Sequence, residues 1–171
     1  MKKLKLFIPG PTHVPNDVLN SMAQNQIGHR TPEVSELIKE IKNGIKNLLY
    51  TKNKILLTSN PATALWEMSI VNSVSSKILH TVNGAFSKKW ANISDKCNFK
   101  SKTINYEWGL APKVDDIDKL LSTGKFDTLA IVHNETSTGV MSNLDEISEL
   151  LKNKYPDIIW LVDAVSSMAG V

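Results

Sequence analysis

The chain has one cysteine, Cys97, and one arginine, Arg30, in 171 residues. A lone thiol excludes an internal disulfide and a thiolate metal cluster, so Cys97 reads as a structural residue of a protein kept in a reducing compartment. Long hydrophobic runs are missing too. No segment approaches the ~20 apolar residues of a membrane span. Leu6-Phe7-Ile8, which follows the basic Met1-Lys2-Lys3-Leu4-Lys5, stops at Pro9-Gly10-Pro11 and is too short for the core of a signal peptide. The expected location is cytoplasmic, with no membrane partner. Low-complexity tracts are absent, and at a net charge of +3 the lysines are scattered rather than massed beside aromatics. That pattern argues against a nucleic-acid partner. No metal is expected.

What is present is enough for one ordinary domain. A chain of this length buries roughly 68–70% of its unfolded surface when compact, and 42% hydrophobic with 22% charged residues is a globular composition. Short apolar runs alternate with segments of helical period. The clearest helix follows Thr31-Pro32, with Val34, Leu37, Ile38, Ile41, Ile45, Leu48 and Leu49 on one face to be packed and the lysines on the other. Beyond it the pattern predicts strands near Ile55–Thr58, Ile78–Val82, Lys102–Asn105, Leu129–His133 and Ile158–Val162. Helices are predicted near Ala62–Asn72, Ser87–Cys97, Asp115–Leu121 and Leu144–Lys154. Strand and helix in alternation imply an α/β fold with a mostly parallel sheet, whose strand-to-helix turns share one edge, where open sheets of this kind bind ligands.

Four of those turns carry chemistry. Ser59-Asn60-Pro61-Ala62-Thr63-Ala64 enters a helix whose free amides, with the Thr63 hydroxyl, could cradle a phosphate; a simple N-cap by Asn60 or Thr63 is the alternative. Asn83-Gly84-Ala85-Phe86 delivers a ring that either stacks on a planar cofactor or joins the core. In His133-Asn134-Glu135-Thr136-Ser137-Thr138-Gly139 the Thr136 hydroxyl can bond a ring oxygen, or belong to a self-satisfied polar loop. Asp163 closes Ile158-Ile159-Trp160-Leu161-Val162 and opens Ala164-Val165-Ser166-Ser167. A carboxylate there can hold a pyridine nitrogen protonated, or bind a metal or a ribose hydroxyl. The 20 basic residues are 19 lysines and Arg30. A guanidinium fork suits a carboxylate clamp, so Arg30, beside His29, is either a substrate contact or a cap contact for the long helix.

Pro9-Gly10-Pro11-Thr12, Gly28-His29-Arg30, Asn83-Gly84-Ala85-Phe86, the His133–Gly139 run and Asp163-Ala164-Val165-Ser166-Ser167 together resemble the class V aminotransferases. Their order and spacing are most similar to the alanine–glyoxylate and serine–glyoxylate or serine–pyruvate branch, with phosphoserine aminotransferase a more distant relative. The resemblance covers nearly the whole chain. It implies a fold type I large domain and pyridoxal phosphate as cofactor. Asp163 would then face the pyridine nitrogen, Val165 pack under the ring, Phe86 stack above it, Thr136 bond the phenolic oxygen, and Ala62 and Thr63 meet the phosphate. Gly10 would line the substrate site, with His29 and Arg30 near substrate or cofactor in this or the neighbouring subunit of a homodimer. Pro61 departs from the family's glycine in the phosphate loop.

The resemblance also implies a longer protein. Residues 1–50 would be an N-terminal segment with its long helix, and 51–171 the first part of the cofactor domain; the remainder of that domain and a small C-terminal domain would lie beyond. The family's Schiff-base lysine follows the aspartate motif in a Ser-Gln-Lys context, and no lysine follows Asp163 here. The expected function is transamination of a small amino acid, serine or alanine, with a 2-oxo acid such as glyoxylate or pyruvate, by the longer enzyme. These 171 residues alone are expected to be inactive. The alternatives are a non-catalytic split-gene or pseudoenzyme subunit, a cysteine desulfurase of the same fold, and a flavodoxin-like nucleotide- or metal-binding module.

Overall fold

In the computed structural model, which describes residues 5–170, the chain divides into two compact units, one ending at Leu57 and one starting at Thr58. The first unit is helical. A short helix α1, Asn16–Met22, was not foreseen; α2, Pro32–Leu48, starts where Thr31 and Pro32 place it. Thr31 is extended, Pro32 occupies the first turn with Glu33, and Lys46 lies in the last turn, the charge order that complements a helix dipole. The expected packing of one α2 face is not seen. No α2 residue is buried, and Leu37, Ile38, Ile41 and Leu48 are exposed. An amphipathic period specifies the helix but not its cover.

The second unit is a three-layer α/β structure. Strands β1 (Ile78–Val82), β2 (Ser101–Asn105), β3 (Thr128–Val132) and β6 (Ile159–Asp163) form one all-parallel sheet in the order β2-β1-β3-β6. A two-residue hairpin, β4 (Asn134–Glu135) with β5 (Val140–Met141), follows β3. The expected strand at Ile55–Thr58 is not formed: the segment has no ladder partner among the described residues, and Leu56 is 83% exposed. A strand exists only by pairing, and the apolar run cannot supply the neighbour.

Residue alternation assigns the two faces. Ile78, Ala130 and Val132 turn to one side and pack under α3 (Ala62–Ser73) and α4 (Ala85–Lys96) through Trp66, Ile70 and Trp90. Leu79, Leu129 and Ile131 turn to the other side and meet Ile117 of α5 (Val114–Leu121) and Ile147 and Leu151 of α6 (Leu144–Lys154). With helices on both faces, β1 and β3 are buried throughout, as parallel strands require. From β1 the chain steps outward to β2 and then returns across β1 to β3. The order therefore reverses between β1 and β3, and ligands of such sheets bind beyond the strand ends at that reversal.

Candidate functional site

Asp163 is the last residue of β6, a strand that runs one residue later than the expected Ile158–Val162, and the ladder holds it. His133 N–H donates to the Asp163 carbonyl at 2.9 Å, in register with Val132. Both carboxylate oxygens are occupied: Oδ1 accepts from the Val165 amide at 2.8 Å and Oδ2 from the indole Nε1 of Trp66 at 3.0 Å. Neither donor is charged. The carboxylate lines a cleft of about 410 Å³ whose walls include Ala62, Leu65, Trp66, Val165 and Met168. Val165 stands at its rim, 68% exposed.

Ala62 and Thr63 open α3, whose N-cap is Pro61 with no side-chain cap. The expectation that Asn60 or Thr63 might merely cap the helix fails: Asn60 Oδ1 accepts from the Thr58 hydroxyl at 3.2 Å, and the Thr63 hydroxyl accepts from Lys89 Nζ at 3.3 Å. The Ala64 amide donates to the Pro61 carbonyl at 2.9 Å, which leaves those of Ala62 and Thr63 open to an anion. Lys89 brings a positive charge to that turn from α4, its ammonium 6.0 Å from the centre of the Trp66 ring.

Phe86 is the second residue of α4 and 43% exposed, outside both core clusters. The group that fixes it is Glu135, which the sequence reading quoted in its motif without giving it a role. Glu135 is fully buried, and its carboxylate accepts from the amides of Phe86 at 3.3 Å and Ser87 at 2.8 Å, and from the hydroxyls of Ser87 at 2.8 Å and Ser137 at 2.6 Å. Burial pushes its pKa up, but the hydrogen bonds from Ser137, Ser87 and Phe86 outweigh burial and hold it below the usual carboxylate value. Glu135 is thus an anionic cap for α4, supplied 49 residues downstream of Phe86. A signal did exist in the sequence, since Gly84 and Ser87 have capping spacing, but the acid itself lies too far along the chain to be matched to them.

The Ser137 and Thr138 hydroxyls donate back to Glu135, whereas that of half-buried Thr136 has no partner among the described residues. Gly139 closes the turn at φ 71°, in the left-handed region open to glycine. Asn134 and Ser166 tie this loop to the Asp163 turn: Asn134 Nδ2 donates to Ser166 Oγ at 3.0 Å, and that hydroxyl donates to the Asn134 carbonyl at 2.9 Å. Phe86, Thr136, Asp163 and Val165 therefore lie at or just beyond strand ends of a single unit, and Ala62, at the start of α3, lines the same cleft as Asp163 and Val165. Gly10, His29 and Arg30 belong to the unit ending at Leu57, and each is exposed.

The donor set fits pyridoxal phosphate. A carboxylate held by neutral donors in a cleft has no competing cation where a ring N–H would sit, an uncapped helix start beside an ammonium suits a phosphate, and a free hydroxyl suits a phenolic oxygen. Among the described residues no cluster of three or more His, Cys, Asp or Glu could hold a metal ion, and no helix is long and apolar enough to cross a membrane.

The parallel sheet clad on both faces, with a carboxylate closing a strand at the ligand edge, matches part of the large domain of fold type I pyridoxal-phosphate transferases. The chain belongs to the class V aminotransferase family, whose pattern matches residues 6–171. It is 37% identical over 175 residues to an uncharacterized aminotransferase of Methanocaldococcus jannaschii, covering 99% of this chain and 44% of that one. It is 30% identical to the serine–glyoxylate aminotransferase of Arabidopsis thaliana, over 97% of this chain and 43% of the relative. The crystal structure of an alanine–glyoxylate aminotransferase from Nostoc superposes with a TM-score of 0.88 at 30% identity, covering 95% of this chain and 44% of that one. The chain spans under half the length of each. Membership of the family, with solved aminotransferases as neighbours, implies pyridoxal phosphate as the cofactor.

Proposed function

We propose that these residues form the cofactor-binding part of an enzyme that transfers an amino group from a small amino acid, serine or alanine, to a 2-oxo acid such as glyoxylate or pyruvate. The observation that carries the proposal is Asp163, which closes β6 in the cleft with both oxygens held by uncharged donors. Bound pyridoxal phosphate would supply the electron sink on which transamination depends. Asp163 would keep the ring nitrogen protonated. Val165 and Phe86 would pack against the ring, Thr136 would donate to the phenolic oxygen, and the Ala62 and Thr63 amides with the Thr63 hydroxyl would hold the phosphate. By the family resemblance Gly10 would line the substrate site, and His29 and Arg30 would sit near substrate or cofactor in this or the neighbouring subunit. The amine that carries the cofactor is assigned to none of these 171 residues, and the working enzyme is a cytoplasmic homodimer.

Support comes from the relatives whose names give glyoxylate as acceptor and from the fit of the turns to the cofactor's polar groups. The test is titration of the chain with pyridoxal phosphate, followed by borohydride reduction and peptide mapping. The expected outcome is weak, reversible binding that Asp163→Ala reduces, with no adduct on one defined lysine. A stoichiometric adduct on a single residue of this chain would overturn the assignment of that amine.

A further inference from the structure

Trp66 is a core residue by burial, 6% exposed and stacked on Trp90 with ring centres 5.8 Å apart and planes 16° from parallel. Packing alone does not account for its indole. Any large apolar side chain could fill the space, and the other two indoles with buried nitrogens, Trp90 and Trp160, have no partner for Nε1 among the described residues. Among the described residues only Trp66 directs its N–H to an acceptor, and that acceptor is Asp163 Oδ2 at 3.0 Å across 97 residues of sequence.

The pairing has a specific consequence. A carboxylate rotates about two side-chain bonds, and one donor leaves its plane free. Here the Val165 amide holds Oδ1 and the Trp66 indole holds Oδ2, so the plane is set at both ends. Each oxygen keeps a second lone pair for a ligand. The indole is also a donor that carries no charge. A lysine or arginine in its place would neutralise Asp163 and compete with a cationic ligand, whereas an indole orients the carboxylate and leaves its charge intact. The stack on Trp90 removes the remaining freedom of the donor.

We propose that Trp66 is a positioning residue that sets the plane of the Asp163 carboxylate for a protonated ring nitrogen. The inference rests on the reading that Asp163 faces the cofactor ring. Trp66→Phe is the informative variant, because it keeps a buried ring against Trp90 and removes the donor, at the cost of some packing volume.

Three readouts on the full chain separate the outcomes: the ¹⁵N–¹H indole resonances of the four tryptophans, assigned by W66F or by elimination with W90F, W108F and W160F; the thermal midpoint; and the affinity for pyridoxal phosphate, read by its absorbance. Asp163→Ala is expected to shift the Trp66 indole resonance and speed its solvent exchange about tenfold. W66F is expected to weaken cofactor binding about tenfold, the scale of one hydrogen bond to a charged group, with the midpoint lowered by the lost packing but the chain still folded. An indole resonance indifferent to Asp163→Ala overturns the inference without reference to any cofactor. If Asp163→Ala weakens cofactor binding and folded W66F does not, the inference falls and the reading of the cleft stands. If the resonance moves but Asp163→Ala leaves cofactor affinity unchanged, the reading of the cleft is what fails, and the role assigned to Trp66 goes with it.

Discussion

Gly84 is required for its missing side chain rather than for its backbone freedom. Its φ of 179° is available to any residue, yet a Cβ there would lie 2.5 Å from Glu135 Cδ and 2.6 Å from Ser137 Oγ, and against Glu135 Cγ as well. Gly84→Ala must push the buried carboxylate off the start of α4, at a cost of about 1–3 kcal/mol or more; chemical denaturation checks it, and a neutral result would show the cap is slack. Glu135 also gives a pH signature. Its folded pKa lies below the unfolded value, so in that window the unfolded chain binds more protons and stability rises with pH. The contribution is complete above the ordinary glutamate range and is lost as pH falls through the lowered folded value. Glu135→Gln should flatten that acid limb. His80 acts at higher pH: burial, only partly opposed by the charge of Asp95, lowers its pKa from 6.5 to about 4, with Ser94 Oγ 2.7 Å from its Nε2. Between those values only the unfolded state gains the proton, so stability should fall by about 3 kcal/mol as pH drops from 6.5 towards 4. Urea unfolding of wild type beside His80→Gln measures it.

At the scale of elements, the central and edge strands of one sheet should respond differently to the same deletion. Ile131 in β3 is fully buried between layers, so Ile131→Ala is expected to cost about 2–5 kcal/mol. Ile159 in β6 is 44% exposed, and Ile159→Ala should cost under about 1 kcal/mol. Equal losses would mean that β6 is covered in solution by something other than this sheet. The helix starts show which signals are local. Thr31-Pro32 placed α2 from adjacent residues, whereas α4 begins at Ala85 rather than Ser87, because its first amides are satisfied from the β3 loop. Likewise the run Ile55–Thr58 has strand composition and no strand, since composition supplies side chains and pairing supplies hydrogen bonds.

At the scale of the molecule, many large apolar side chains are uncovered in both units. Besides the α2 face, Leu56, Val71, Trp108 and Met168 are exposed, far more than isolated surface residues on a monomer account for. The chain by itself is expected to self-associate. Sedimentation showing a clean monomer across the micromolar range would contradict this, and lysines at Ile38 and Ile41 should weaken the association if the α2 face drives it.

The amino-acid sequence by itself determined the alternation of strand and helix, the edge on which the turns gather, and the types of group that those turns carry, because periodicity and turn chemistry act between near neighbours. The positions of Asp163, Thr136 and Phe86 at strand ends were legible for that reason. Only the tertiary structure decided which distant groups meet: the Trp66 indole on Asp163, the Glu135 carboxylate under Gly84, and the reversal of strand order between β1 and β3. Such contacts join residues 50 to 100 positions apart, where no spacing rule operates. Long-range packing and the need to satisfy buried polar groups select them.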